Sequence, residues 1–282
     1  MRALITGAGG QLGRAITRGW RDDELIAPGA SDLDVTDEPS VWAAVRDYQP
    51  QVVVNCAAYT AVDACETDPE PAWAVNAGGA ANLARACSAA GIGLVHLSTD
   101  YVFDGTLDRP YTEFDRPNPV SVYGRTKDAG EQLVRERCDE HVIVRTSWLQ
   151  GIDGANFTKT MLRLGRERDR VEVVTDQVGT PTFAFDLAEA IRQLTVTRRY
   201  GTFHVTNAGA CTWFDYAEAI FEEAGLDVEV APTTAAAFGA PAPRPANSRL
   251  EGRHAAMAGL GALPHWRDGL RRLVRALEAE AA

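Results

Sequence analysis

The stretch SVYGRTKDAG, residues 121–130, sets Tyr123 four residues before Lys127. On a helix those two side chains share one face, a turn apart. A phenol ordinarily ionises near pH ~10, too high to trade protons readily at neutrality, and an ammonium beside it favours the ionised form. The pair therefore suits proton donation to an oxygen that turns negative during a reaction, an effect typically worth about 10²–10⁴-fold in rate. Upstream, HLSTDYVFDG (96–105) ends an apolar run in Ser98 and Thr99. Hydroxyls at the carboxyl end of a strand face the place where open α/β sheets bind ligands. With a nicotinamide at that edge, hydride would pass to a carbonyl and Tyr123 would supply the proton. Lys127 would hold the nicotinamide ribose and Thr99 the substrate oxygen. Tyr-x-x-x-Lys alone arises often by chance; its combination with the other features, in this order, points to catalysis.

Such residues need a scaffold that brings a dinucleotide to them. TGAGGQLG (6–13) spaces Gly7, Gly10 and Gly13 three apart between a strand and a helix. Missing side chains at such a turn let a pyrophosphate approach the backbone, with its charge at the helix N-terminus. The spacing is GxxGxxG and not the GxGxxG of the dinucleotide fingerprint, so its weight comes from its position at the first strand–helix junction. After the second strand, SDLDVTD supplies Asp34 and Val35 to line an adenine pocket and Asp32 to approach the adenosine ribose. Asp37 is equally suited to capping the next helix. No arginine stands between Ile26 and Asp37 to neutralise a 2′-phosphate, which leans toward NADH or a relaxed choice between NADH and NADPH.

Apolar runs at 2–6, 24–29, 51–58, 93–99 and 141–148 alternate with helical patterns at 11–20, 40–48 (capped by Ser40), 71–91 and 123–138. This alternation predicts a Rossmann-type, doubly wound parallel α/β sheet over residues 1–150. Helices at 156–168, 213–225 and 264–282, strands near 171–174 and 202–206, and a Pro/Ala-rich ordered loop or lid at 231–250 follow. They predict a smaller C-terminal substrate-binding lobe, 151–282, interwoven with the first. Trp73, Trp213 and Trp266 fall on helix patterns as core or partner-face residues. His96 reads as a packed strand residue, and Asn55 and Asn76 as partners for backbone groups near the cofactor.

With 282 residues, 45% of them hydrophobic, the chain can bury a substantial core unaided. A net charge of −11 argues against nucleic acid or an anionic membrane as partner. Five scattered cysteines without CxxC spacing suggest a reducing cytoplasm. The histidines show no metal-ligand spacing, and the N-terminal segment has neither the length nor the cleavage pattern of a signal peptide.

GxxGQLG (7–13), NCAAYTAVDACE (55–66), STDYVFDG (98–105) and YGRTKDAGE (123–131) together resemble the extended short-chain dehydrogenase/reductase family. RTSWLQG (145–151), NFTKTML (156–162), DQVGTPT (176–182) and RPANSRL (244–250) narrow the resemblance to its reductases of dTDP-linked keto-sugars. The resemblance implies a catalytic set of Thr99, Tyr123 and Lys127, and dinucleotide contacts from Gly10, Gln11, Leu12, Asp34, Val35, Ala58, Tyr59 and Thr60. It implies sugar contacts from Thr99, Asp100 and Trp148, and a grip on the nucleotide diphosphate and sugar from Asn156, Lys159, Gln177, Arg244 and Ser248. Arg244 also suits the task chemically, because a guanidinium forks onto phosphate; Arg249 and Arg253 read as solvated surface charge. The implied activity is NAD(P)H-dependent reduction of the 4-keto group of dTDP-4-dehydro-6-deoxy-L-mannose to dTDP-L-rhamnose. Alternatives are a related dTDP-keto-sugar of the dihydrostreptose-precursor type, or a non-catalytic dinucleotide-binding regulatory subunit. A dehydratase would pair Asp with Glu after Thr99, where this chain has Asp100-Tyr101. Some relatives hold Mg²⁺ between subunits through an acidic residue on the first helix. Here that position is Ala15, beside Arg14, so a monomer or a homodimer without a metal link is expected.

Overall fold

The computed structural model describes residues 1–281. Runs of Val, Ile and Leu with apolar neighbours on both sides form parallel strands, as a sheet covered on both faces requires. β1 (Arg2–Thr6) passes through the glycine turn to α1 (Gln11–Gly19), β2 (Glu24–Ile26), α2 (Glu38–Tyr48) and β3 (Val52–Asn55). Next come α3 (Val62–Thr67), α4 (Glu70–Ala72), a π-helical stretch (Trp73–Gly79) and α5 (Ala80–Ala90). β4 (Gly93–Thr99) runs into a 3-10 turn (Asp100–Val102), followed by β5 (Tyr111–Thr112), α6 (Val122–Arg137) and β6 (His141–Thr146). The chain then builds β7 (Leu149–Gln150), α7 (Phe157–Glu167), β8 (Arg170–Val174), β9 (Val178–Gly179) and β10 (Thr182–Phe183). It returns to the main sheet with α8 (Ala184–Thr197) and β11 (Gly201–His204). β12 (Cys211–Thr212), α9 (Trp213–Ala224), β13 (Glu229–Thr233) and α10 (Ala235–Phe238) lead to β14 (Leu250–Glu251), α11 (Arg253–Met257) and α12 (Trp266–Ala281).

Six strands make one parallel sheet in the order β11-β6-β4-β3-β1-β2. The order turns back at β1, so the crevice at the carboxyl ends of β1 and β3 is the switch point where such sheets bind ligands. Successive strand residues point to opposite faces. Ile5 and Val54 join Ile16 of α1 and Ile191 of α8 in one core. Leu4 and Val53 join Val41 of α2, Leu83 of α5 and Val134 of α6 in the other. A third core, outside the sheet, unites Met161, Phe183, Tyr216, Ile220 and Leu273 from α7, β10, α9 and α12.

Local structure departs from the sequence expectations at several places. α2 begins at Glu38 and is capped by Asp37, whose carboxylate accepts from Ser40 N at 3.2 Å. Ser40 lies inside the helix because Pro39 presets its first turn. The helix expected over 71–91 widens into π geometry at Trp73–Gly79, where Gly78 and Gly79 favour the α form least and Asn76 is held sideways by Tyr59 and Thr126. Strands expected over 51–58 and 141–148 stop at Asn55 and Thr146, where the chain turns into the loops above the sheet. α8 was not expected from the sequence: Ala184, Leu187, Ala188, Ala190, Ile191 and Leu194 are all buried, so it lacks the clean stripe of a surface helix. Residues 231–250 include the end of β13 and all of α10. The last helix starts at Trp266, and Ala282 lies outside the described residues. No described helix is long and apolar enough to cross a membrane.

Candidate active site

At the switch point, Gly7 adopts φ +64°, and a Cβ there would sit 2.5 Å from Ala57 N. A Cβ on Gly13 would sit 2.5 Å from the Gly7 carbonyl, so α1 packs directly on the turn. Gly10 precedes α1 as its N-cap and has no side chain to cap it, which leaves first-turn N–H groups to face an anion. Beside it opens a cleft of about 430 Å³ walled by Gly7, Gly10, Asp34, Val35, Cys56 and Ala58. Bare backbone at a helix N-terminus, next to an apolar slot, fits the pyrophosphate and adenosine of NAD(P). Asp34 turns its carboxylate back onto Thr36 N and Oγ1, both at 2.8 Å. Leu12 is buried in the core, so its backbone alone is available to the turn, and Gln11 accepts from Asn156 Nδ2 at 3.0 Å. Asn76 brackets Tyr59, accepting from its N–H at 2.9 Å and donating to its carbonyl at 3.1 Å, while Thr60 is exposed beyond it.

β4 delivers Thr99 to the sheet edge, and Ser121 caps α6 by accepting from Gly124 N at 3.1 Å. Gly124 allows α6 to press on the 3-10 turn, since a Cβ there would collide with the Tyr101 carbonyl. Tyr123 is thereby set edge-on to the Tyr101 ring, with centroids 5.7 Å apart. Thr99 Oγ1 donates to Asp100 Oδ1 at 3.0 Å and accepts from Tyr101 N at 3.2 Å. Lys127, buried, donates from Nζ to the Leu97 carbonyl at 2.5 Å. Burial draws its ammonium down to about 8, against the attraction of Glu131.

The expected lowering of the Tyr123 phenol by Lys127 does not hold. Burial and then the Asp100 charge raise the phenol above its ordinary value, and Thr99 opposes them. The ammonium is directed at the β4 backbone and desolvation dominates. Beside it lies a charge cluster whose members Ser98, Glu131 and Arg145 stand at the ends of quoted motifs, with no role read for them from the sequence. Glu131 accepts from Arg145 Nε at 2.8 Å and Nη2 at 2.6 Å, from Ser98 Oγ at 2.5 Å, and from Arg135. Burial pushes the Glu131 carboxyl up, but the two arginines and these hydrogen bonds outweigh it and hold the group at about 2.

A second cleft, about 1030 Å³, opens over the C-terminal lobe between Tyr101, Phe157, Gln177, Trp213, Phe238 and Arg244. Trp213, read from sequence as core or partner-face, is a cleft wall: it stacks on Trp148, with centroids 3.5 Å apart, and Trp148 holds a left-handed φ of 47°. Ser248 is buried near Asp100, with its hydroxyl 3.4 Å from the Val178 carbonyl. Asn156 and Lys159 turn elsewhere. Asn156 caps α7 through Lys159 N at 3.0 Å and donates to Gly151 O, while Lys159 Nζ donates to Ile152 O at 2.9 Å. Arg244 forks onto Asp63, with both bonds 3.0 Å, and Asp63 also accepts from Ala242 N at 3.1 Å. Arg14, beside Ala15, reaches toward Asp153, and no metal-binding group of three or more His, Cys, Asp or Glu occurs among the described residues.

A parallel sheet with a nucleotide-sized crevice at its switch point, and a half-buried Tyr beside a buried Lys and Thr one strand further on, is the construction of the extended short-chain dehydrogenase/reductases. Whole-chain similarity is narrower: the chain belongs to the family described as RmlD substrate binding domain, whose profile matches residues 1–279. It is 46% identical over 278 residues to a dTDP-4-dehydrorhamnose reductase of Streptomyces griseus, covering 95% of this chain and 91% of that one. It is 43% identical over 291 residues to a dTDP-4-keto-6-deoxy-D-glucose reductase of Streptomyces niveus, covering 99% and 98%. The crystal structure of a dTDP-4-dehydrorhamnose reductase from Bacillus anthracis in complex with NADP superposes with a TM-score of 0.95 at 42% identity, covering 98% of this chain and 99% of that one.

Proposed function

We propose that this protein reduces the 4-keto group of dTDP-4-dehydro-6-deoxy-L-mannose to give dTDP-L-rhamnose, using NADPH or NADH. The observation that carries this reading is the bridge between the two clefts. Tyr101, a wall of the larger cleft, packs against Tyr123. Cys56, a wall of the dinucleotide cleft, lies within electrostatic reach of Lys127. When bound, NAD(P)H supplies the hydride. Thr99 orients the keto oxygen, and Tyr123 gives its phenolic proton to that oxygen as charge builds on it. Lys127 holds the nicotinamide ribose. Asp34, Val35, Ala58, Tyr59, Thr60 and the turn from Gly7 to Gly13 hold the dinucleotide. Asp100, Trp148, Gln177, Arg244 and Ser248 face the sugar and diphosphate, with Asn156 and Lys159 as further candidates at the head of α7. The enzyme works in the cytoplasm, as a monomer or a homodimer without a metal link.

The test is NADPH and NADH oxidation with dTDP-4-dehydro-L-rhamnose supplied by the preceding enzymes. Turnover supports the reading; cofactor binding without turnover overturns the substrate. The relative from Streptomyces niveus favours a second reading, a different dTDP-4-keto-sugar, which the same assay addresses by substituting that sugar. Arg244→Ala is expected to raise KM for the nucleotide sugar about tenfold or more, the loss of a charge-assisted fork. An unchanged KM removes Arg244 from the diphosphate site.

A further inference from the structure

The short helix α3 carries Asp63 and Glu66 three residues apart, so the two carboxylates share one face of it. Asp63 accepts from Arg244 Nη1 and Nη2, both at 3.0 Å, and from the Ala242 backbone N at 3.1 Å. Ala242 and Arg244 are walls of the 1030 Å³ cleft, so one carboxylate fixes both a backbone segment and a guanidinium of that wall. Glu66 accepts from Val122 N at 2.7 Å. Val122 opens α6, where a first-turn N–H has no partner within the helix, and Tyr123 follows it directly. Arg244 also donates to the Tyr101 hydroxyl, and the Tyr101 ring lies edge-on to Tyr123. Cys65, on the other side of α3, is fully buried and fixes the helix from behind.

The Asp63–Arg244 pair is open to water, with side chains 46% and 23% exposed, and a pair so placed adds little to fold stability. Position is what it supplies, since a long guanidinium side chain left unheld has many rotamers to lose before it meets an anion. Resting on the reductase reading above, we propose that α3 is a bracket holding the diphosphate grip in register with the proton donor. Asp63 positions Arg244 and the 242–244 loop, and Glu66 positions the head of α6 and with it Tyr123. Both are positioning residues, acting through Arg244 and through the α6 backbone. A guanidinium held along one edge keeps its charge and its remaining donors for a second anion. Because grip and donor are referred to the same helix, binding at the diphosphate end sets the distance at which the carbonyl meets the phenol.

The test is a pair of variants whose effects divide oppositely between KM and kcat. Asp63→Ala is expected to raise KM for the nucleotide sugar, and Kd for dTDP by calorimetry, about tenfold while kcat stays. Glu66→Ala is expected to lower kcat about tenfold while KM and the dTDP affinity stay, because only the donor's placement suffers. Glu66→Gln keeps an acceptor for Val122 N and should restore kcat, whereas Asp63→Asn lacks the charge that holds the guanidinium and should not restore affinity. If kcat and KM move together in both alanine variants, the role is general support of the fold and the bracket is overturned. Tighter dTDP binding by Asp63→Ala also overturns it, since Asp63 would then compete with the diphosphate for Arg244. Keto-sugar turnover by the wild type with dTDP affinity unchanged in Asp63→Ala defeats the bracket and leaves the reductase reading intact. A wild type that turns over no keto-sugar, yet binds dTDP and loses that affinity in Asp63→Ala, defeats the reductase reading and leaves the Asp63 arm standing.

Discussion

Tyr123→Phe is expected to lower kcat by about 10²–10⁴-fold, the range for losing a positioned general acid. The variant keeps the ring and its edge-on contact with Tyr101, so packing at the head of α6 is retained. Cofactor affinity should not change, since Tyr123 is not among the walls of the 430 Å³ cleft. The measurement is kcat by steady-state turnover beside Kd for NADPH by fluorescence. Loss of both together would mean that the phenol supports the cofactor instead of protonating the sugar.

Glu131→Ala is expected to destabilise the fold by about 3–5 kcal/mol, the penalty for breaking a buried ion pair from one side. Glu131 is fully buried and Arg145 nearly so, and truncation leaves the Arg145 guanidinium without its carboxylate between β4, α6 and β6. Ser98 loses its acceptor in the same step. Denaturant unfolding checks the size, and acid unfolding checks the cause. The Glu131 carboxyl titrates below its unfolded value, at about 2, so its contribution is complete above an ordinary glutamate pKa and is lost as pH falls toward 2. The Ala variant should therefore show a shallower decline over that acidic window. An equally steep decline would assign acid sensitivity to other carboxylates.

The parts of the site that could be read from the chain are those whose chemistry is local. Tyr123 and Lys127 are four residues apart on one helix, and Gly7 to Gly13 form one turn, so spacing alone expresses their relation. Asp63 gave no such signal, because its partner Arg244 is 181 residues away. Trp213 has the pattern of an ordinary helix residue, and only Trp148, arriving from another element to stack on it, makes it a cleft wall. Asn156 carries a role its motif did not announce: its side chain caps its own helix N-terminus. The phenol's acidity was misjudged because sequence reveals which charges are near but not where an ammonium points or how dry its neighbour is. In the fold, sheet strands were legible from their apolar runs, while α8 lost its helical stripe by being buried on most sides.

Residues 184–204 carry a further consequence. After building much of the outer lobe, the chain comes back to lay α8 on α1 and β11 beside β6, then leaves again for α9 and α12. The seam is therefore stitched by several covalent passes, not hinged on one strand of chain. No single cut yields two self-sufficient pieces, because a fragment ending near residue 150 lacks its edge strand and an entire covering helix. Both clefts should melt in one cooperative transition, and a ligand that tightens either one should protect both from proteolysis.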